Sequence, residues 1–530
     1  MPSLTRSQAR RRPQTFRWAL LCLTALAFLC IAWGIRKNLP YTPEVDEDIF
    51  VAPAVHIAAS GTLDPGWFGH PGSTVIYPLA GTFHVWHAAT HRGTFFHPDP
   101  NLQASFEANP AEYYLLARLL TLAFAVLSVP LAYHVGRFVF GERAALLGAL
   151  LSTLSPLTVT HAQMVRTDSA ATFFGLLSLW LCLRLLQRQT AGRQVLAGAA
   201  IGLAIGSRYF MAALIPVLLA VDTLAWREQS RSSPAGRRAW WLAAGTGALA
   251  VGAAFALSTP FFFLNLGTAL RDLQVEARTT HLGADGLTPL GNLWWYLSLA
   301  LPSDVGWAQA ALAVVGVGLV LRDRQPRQLL LPGFVVVFLG GIILSPLHWA
   351  RWLIEILPLV SLLAAHALDA IILPWLGKLS DRPAAQGGLA AAALLVTLAG
   401  PAYQVVLLDV GQTEPSTRVQ AREWLLRNLP AGSHIAQEWY TAPLSDTRFV
   451  IANYLTLASG QTLDDYRRNG DRYLVASSFI YDRYLAESQR YRQETAFYRD
   501  LFARGRLLQQ FEPSITRSGP TIRVYELPAP

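Results

Sequence analysis

The chain has 530 residues, of which 52% are hydrophobic and only 15% charged, below the quarter or so of charged residues usual in a soluble domain. Its formal net charge of +9 would suit a nucleic-acid binder, but the basic residues lie in short loops between apolar blocks, the pattern that orients membrane helices. A soluble globular protein and a nucleic-acid partner are thereby excluded, and a polytopic membrane protein is expected.

A basic start with Arg6, Arg10, Arg11 and Arg12 precedes the first apolar block, 16–35. That block is longer than the core of a cleaved signal peptide, so it reads as an uncleaved first span. Further spans are expected at 113–136, 144–163, 168–186, 193–208, 209–225, 239–258, 304–321, 328–345, 349–374 and 387–409, about eleven in all by the ~20-residue rule. Gly206-Ser207-Arg208-Tyr209 interrupts the run between the fifth and the sixth. Cys22, Cys30 and Cys182 fall inside apolar blocks, with no disulfide framework and no metal-type spacing.

With the N-terminus in the cytoplasm, every inner loop is basic: Arg137 and Arg143; Arg184, Arg188 and Arg193; Arg227, Arg231, Arg237 and Arg238; Arg322, Arg324 and Arg327; Lys378 and Arg382. An odd number of spans then puts the C-terminal segment outside. The chain is read as an integral protein of a bacterial inner (plasma) membrane, Lys being scarce and Arg, Ala and Leu abundant. Residues 1–409 form a multi-span domain whose first outer loop is 36–112, and 410–530 form an extracytoplasmic domain. Within the first outer loop, Ile49–Ser60 and Thr74–Ala89 are expected as helices lying at the membrane surface. A second outer loop, about 259–302, ends near Trp294-Trp295-Tyr296, an interfacial aromatic signature. In the last section a helix is expected over Pro415–Asn428 and strands at His434–Gln437, Arg448–Ala452, Arg472–Ala476 and Thr521–Leu527, with helical segments around Tyr481–Phe502. The fold class is mainly α, with a small C-terminal α/β domain.

The candidate chemistry gathers at outer span ends. Tyr41-Thr-Pro-Glu-Val-Asp46-Glu47-Asp48 follows the first span; its acids serve either a solvated helix start or a general base at the interface. His70-Pro71-Gly72-Ser73 offers a substrate or metal contact, or a plain turn. Arg166 and Asp168 stand between the third and fourth spans, Arg208 interrupts an apolar run, and Arg351 opens the tenth span with Glu355 as a helical partner four residues on. Guanidinium matches phosphate oxygens, so an anionic phosphate at the outer face would use these arginines; the competing reading for each is ordinary anchoring. Whether Asp168, with or without His70, holds a divalent metal stays open.

In order, Asp46-Glu47, the small-residue helix end Ala58 to Gly61, His70-Pro71-Gly72, Ala117-Arg118-Leu119, Phe140-Gly141, Ser155-Pro156 and Arg166-x-Asp168 resemble the signature of family 39 glycosyltransferases, of the GT-C class that also holds protein O-mannosyltransferases and the lipid A aminoarabinose transferase. The resemblance implies GT-C architecture, a polyprenyl-phosphate sugar as donor and inversion at the anomeric centre. It makes Asp46 the catalytic base, with Glu47 supporting it or contacting the acceptor. Arg166, Arg208 and Arg351 are then the candidate donor-phosphate ligands, with Asp168 and His70 supporting. The acceptor would be a glycolipid, polysaccharide or protein hydroxyl. Two other classes compete: a transporter of a lipid-linked or polar substrate, and a non-catalytic membrane scaffold. The absence of repeat symmetry disfavours the first, and the outer-edge acids disfavour both.

Overall fold

The computed structural model describes residues 6–41, 46–91, 93–229, 234–444 and 448–527. The Thr42–Val45 stretch, Arg231, and the side chains of Arg6, Arg10, Arg11, Arg12 and Arg237 lie outside the described residues. The chain divides into two compact units: Met1–Ile35, Asp46–Thr279 and Gly286–Val405 in one, and Arg36–Val45, Thr280–Asp285 and Val406–Pro530 in the other.

The first unit is helical. Among its described residues nine helices are long and apolar enough to cross a bilayer: Phe16–Trp33, Pro110–Phe140, Asp168–Gln187, Tyr209–Arg227, Arg238–Ser258, Pro289–Asp323, Pro326–Ile343, Leu357–Gly377 and Pro383–Val410. The chain is thus an integral membrane protein. The predicted span 144–163 is a pair of helices, Glu142–Thr153 and Pro156–Ala162, bent by 61°, and counts as a tenth crossing if the pair is one span. The bend has a local cause: Ser155 caps the second helix by accepting from Thr158 N at 3.1 Å, and Pro156 fits its first turn. The predicted span 193–208 is the helix Ala191–Ser207, 17 residues long. Its glycines let it lie close to helix Pro234–Ser258. A Cβ on Gly198 would sit 2.5 Å from Gly247 O, and one on Gly202 2.5 Å from Val251 O. This is small-residue packing at four-residue spacing.

Two sequence expectations need correction here. Trp294-Trp295-Tyr296 does not close a loop; it lies inside the long helical run that begins at Pro289 and breaks at Gly306, where φ is +78°. The span placed at 349–374 starts as a short 3₁₀ helix, Ala350–Leu353, followed by turns, and is α-helical only from Leu357. In the first outer loop both apolar segments are helices, Asp48–Ser60 and Ser73–Thr90.

The second unit is built on a five-stranded sheet: β1 (His434–Glu438), β2 (Val450–Tyr454), β3 (Tyr473–Ser477), β4 (Arg506–Phe511) and β5 (Ile522–Glu526), in the order β2-β1-β3-β5-β4. β1 is parallel to β2 and β3, while β5 runs antiparallel to β3 and β4. Strand alternation divides the buried residues between the two faces. Ile435, Val475 and Val524 pack with Ala421 and Leu425 of helix Thr417–Asn428. Ala436, Leu474 and Tyr525 pack with Tyr466, Ile480, Tyr498 and Leu501, from helices Leu463–Arg468, Ser478–Ala486 and Arg492–Arg504.

Candidate functional site: a cavity between Asp46 and three arginines

The site is built outward from a buried ion pair. Arg118, on helix Pro110–Phe140, is 1% exposed, and Glu47 is 0% exposed. Arg118 Nε donates to Glu47 Oε1 at 2.8 Å and Nη2 to Oε2 at 2.7 Å, a forked pairing. A third guanidinium nitrogen, Nη1, donates to Ile35 O at 2.9 Å. Glu47 Oε1 also accepts from Val165 N at 2.9 Å. One buried carboxylate therefore fixes the start of helix Asp48–Ser60 to a long helix and to the segment leading into Asp168.

The neighbouring residues inherit this register. With Glu47 bonded at Val165, Asp46 forms an ion pair with Arg166. Arg351 Nη1 donates to Asp46 Oδ2 at 3.1 Å, and its guanidinium lies 5.2 Å from the Trp349 ring centre. Asp46 is 38% exposed, whereas Glu47 is sealed.

Asp46, His70, Arg166, Asp168, Arg208 and Arg351 line one cavity of about 380 Å³, a size suited to a small ligand. The structure thus brings together every sequence-designated site residue except Glu47, which does not line the cavity. Glu47 is buried behind the cavity wall, bonded to Arg118 and Val165.

Arg208, at the end of helix Ala191–Ser207, bonds two carboxylates: that of Asp168, and Glu355 Oε1 at 2.9 Å. The expected helical pairing of Glu355 with Arg351 is replaced by this bond, because the backbone around Arg351 is not α-helical and does not set residues four apart on one face. Glu355 precedes the span Leu357–Gly377 and is 4% exposed, and its Oε2 has no hydrogen-bond partner. Burial pushes this carboxyl up to about 7, against the pull of the Arg208 guanidinium. His70 Nε2 lies 3.7 Å from Glu276 Oε1; burial holds its imidazole below the ordinary histidine value despite that carboxylate.

The cluster matches Arg166, Arg208 and Arg351 with Asp46, Asp168 and Glu355. When Glu355 carries a proton the sum is one positive charge, which suits a phosphodiester. Among the described residues no group of three or more His, Cys, Asp or Glu side chains converges as a metal site. Each of these acids faces a guanidinium, so the donor set here does not fit a divalent cation.

Glu276 and Arg118 were not singled out as site residues from sequence. Glu276 ends an amphipathic helix, Leu266–Glu276, within the segment read as an outer loop. Arg118 sits in an apolar run, and an intramembrane cation is itself a signal of a buried partner.

Residues 114–257 match the family model described as dolichyl-phosphate-mannose-protein mannosyltransferase. No curated protein matches the chain by sequence. Among solved structures, ArnT from Cupriavidus metallidurans bound to undecaprenyl phosphate aligns over 95% of this chain and 97% of its own, at 14% identity and a TM-score of 0.53. Its apo form aligns over the same shares at 16% identity and a TM-score of 0.52. The oligosaccharyltransferase AglB from Archaeoglobus fulgidus, in complex with an inhibitory peptide and a dolichol-phosphate, aligns over 93% of this chain and 73% of its own, at 13% identity and a TM-score of 0.51. The helical bundle with its smaller α/β unit is therefore the GT-C fold of membrane glycosyltransferases.

Proposed function

We propose that this protein transfers a sugar, with inversion, from a polyprenyl-phosphate donor to an acceptor hydroxyl at the outer face of the membrane. The observation that carries the reading is Asp46, a cavity-lining carboxylate held by Arg166 and Arg351. An incoming donor phosphate competes for those guanidiniums, which bind phosphate oxygens well, and its arrival frees Asp46. Asp46 then takes the acceptor hydroxyl's proton while that oxygen bonds to the anomeric carbon. The bond from anomeric carbon to phosphate oxygen breaks, and the charge on the leaving polyprenyl phosphate falls to Arg166 and Arg351. One carboxylate suffices for a single displacement. Glu47 and Arg118 position Asp46, and Asp168 and Glu355 hold Arg208 at the cavity wall.

Two of the structural neighbours carry a lipid phosphate, undecaprenyl phosphate in one and a dolichol-phosphate in the other, which supports this donor class. The basic loops support a cytoplasmic N-terminus and an extracytoplasmic C-terminal domain. The acceptor class is a glycolipid, polysaccharide or protein hydroxyl.

The test is transfer from a panel of radiolabelled polyprenyl-phosphate sugars to a membrane extract, with lipid-embedded wild type beside Asp46→Asn. Transfer by wild type that disappears in a folded Asp46→Asn protein supports the reading and names the donor. Equal transfer by both removes Asp46 as base, and no transfer with any donor overturns the function.

A further inference from the structure

A second charged cavity lies at the other end of the bundle. Helix Pro110–Phe140 carries Arg118 near the Asp46 site and Arg137 near its far end, 19 residues or about 28 Å apart along the axis, close to the thickness of a hydrocarbon core. Helix Asp168–Gln187 runs the same way, from Asp168 at the first site to Arg184 at the far one.

At that far end a cavity of about 750 Å³ is lined by Arg137, Arg184 and Arg327, with His134 and Trp180 beside them. The three guanidiniums come from three helices, Pro110–Phe140, Asp168–Gln187 and Pro326–Ile343. Among the described residues no Asp or Glu lines this cavity. Arg137 pairs with Glu142 at 2.9 Å, outside the lining and largely exposed. Arg184 and Arg327 make no ion pair among the described residues, and Arg184 Nε is buried without a hydrogen-bond partner. The Arg184 guanidinium lies 5.4 Å from the Trp180 ring centre, so its position is set by the helix that carries both.

Positive charge that only orients helices can sit in water at loop ends. Here like charges from three separate helices share one concave space, an arrangement that a bound anion stabilises. Phe138, Leu186 and Leu224 give the cavity an apolar side. We propose that this cavity binds the phosphate of an anionic headgroup. The apolar wall and the placement at the bundle's far end point to a phospholipid of the opposite leaflet. Free phosphate shares the chemistry and is the alternative source.

The proposal is independent of the transferase reading and is tested without it. Full-length protein and Arg184→Gln/Arg327→Gln would be placed in phosphatidylcholine nanodiscs with and without 20% phosphatidylglycerol, on the order of a cell-membrane content of anionic lipid. Native mass spectrometry after release would count retained phosphatidylglycerol, and thermal unfolding would be followed in parallel. A second pair, Arg184→Lys/Arg327→Lys, keeps the loop charges that orient the helices. Wild type is expected to retain phosphatidylglycerol at least tenfold more than the Gln pair, and to unfold at a higher temperature in its presence only. The Lys pair, with the charge but not the forked donor, is expected between them. Protection of wild type by millimolar inorganic phosphate in pure phosphatidylcholine, lost in the Gln pair, supports the same site with a soluble source. Equal retention by wild type and the Gln pair, with no protection by inorganic phosphate, overturns the proposal.

Discussion

The carboxylates around the helical unit's cavity and a buried carboxylate of the α/β unit are held in different ways. In the helical unit Glu47 and Glu355 are met by guanidinium, through Arg118 and Arg208. In the α/β unit Glu438, at the end of β1 and 2% exposed, is met by neutral donors: Leu457 N at 2.9 Å, Ser477 N at 2.7 Å and the Tyr498 hydroxyl at 2.5 Å. Desolvation is costly in both places. A guanidinium meets its partner with a full charge that a substrate phosphate can later use. Backbone amides and a phenol satisfy the oxygens without bringing charge, which suits a carboxyl that ties strands together. The helical unit uses neutral donors too, at Asp304 with Ser155 Oγ and Leu157 N, so the guanidinium pairings belong to the cavity region rather than to the unit as a whole.

The largest effect is expected from breaking the charged type of pairing. Arg118→Met leaves Glu47 buried without its guanidinium partner, and should cost about 3–5 kcal/mol of stability, seen as loss of monodisperse protein after extraction. A variant that stays folded and active would show that the pair is dispensable. Next, Asp46→Asn should keep the fold and lower transfer by roughly 10²–10⁴-fold, measured as initial rate at saturating donor.

A smaller effect sharpens the contrast through pH. Below about 7 Glu355 is protonated and the arginine cluster carries a net positive charge; as pH rises through 7 that charge is cancelled. The donor KM should therefore rise about three- to tenfold from pH 6 to pH 8, and Glu355→Gln should flatten the profile. An unchanged slope in Glu355→Gln would assign the titration elsewhere.

Glu438 should respond in stability instead. Burial raises its carboxyl to about 7, above the ordinary 4.5, so the folded unit holds a proton that the unfolded chain gives up first. Its stabilising contribution is present at pH 4.5 and is lost as pH rises through 7, a change on the order of 3 kcal/mol. Hydrogen exchange of the β1 and β3 amides, corrected for intrinsic rates, should show protection falling over that window in wild type and much less in Glu438→Gln.

Much of this was readable from the chain because its physics is local. Apolar runs gave most of the spans, and short strand-like runs gave β1, β2, β3 and β5 to within a few residues. β4, Arg-Leu-Leu-Gln-Gln-Phe, was missed because it lacks β-branched residues and follows the helix Arg492–Arg504 after a single glycine. Asp46 and the arginines could be proposed as a group, because each marks a polar break at a span end. The division of labour between Asp46 and Glu47 could not, since adjacent acids look alike until one finds Arg118, 71 residues away. Glu355 was given the wrong partner because a helical spacing was assumed where the backbone is 3₁₀ and turn.

The bond between Glu47 and Val165 sits one position along from the pairing of Asp46 with Arg166. The two segments therefore carry a shared reading frame. A single residue inserted between 46 and 47, or between 165 and 166, would leave the anchor intact and turn the wrong side chain to the cavity. Change here can proceed by exchange of residues but not by change of length. The cavity wall contributed by Leu273, Glu276 and Arg278 is tied separately, through Phe68 N bonded to Asp272 Oδ2 at 3.1 Å, and does not share that frame. A lineage with this architecture could alter what it accepts by varying that wall, while the two-residue step at its centre stays in phase.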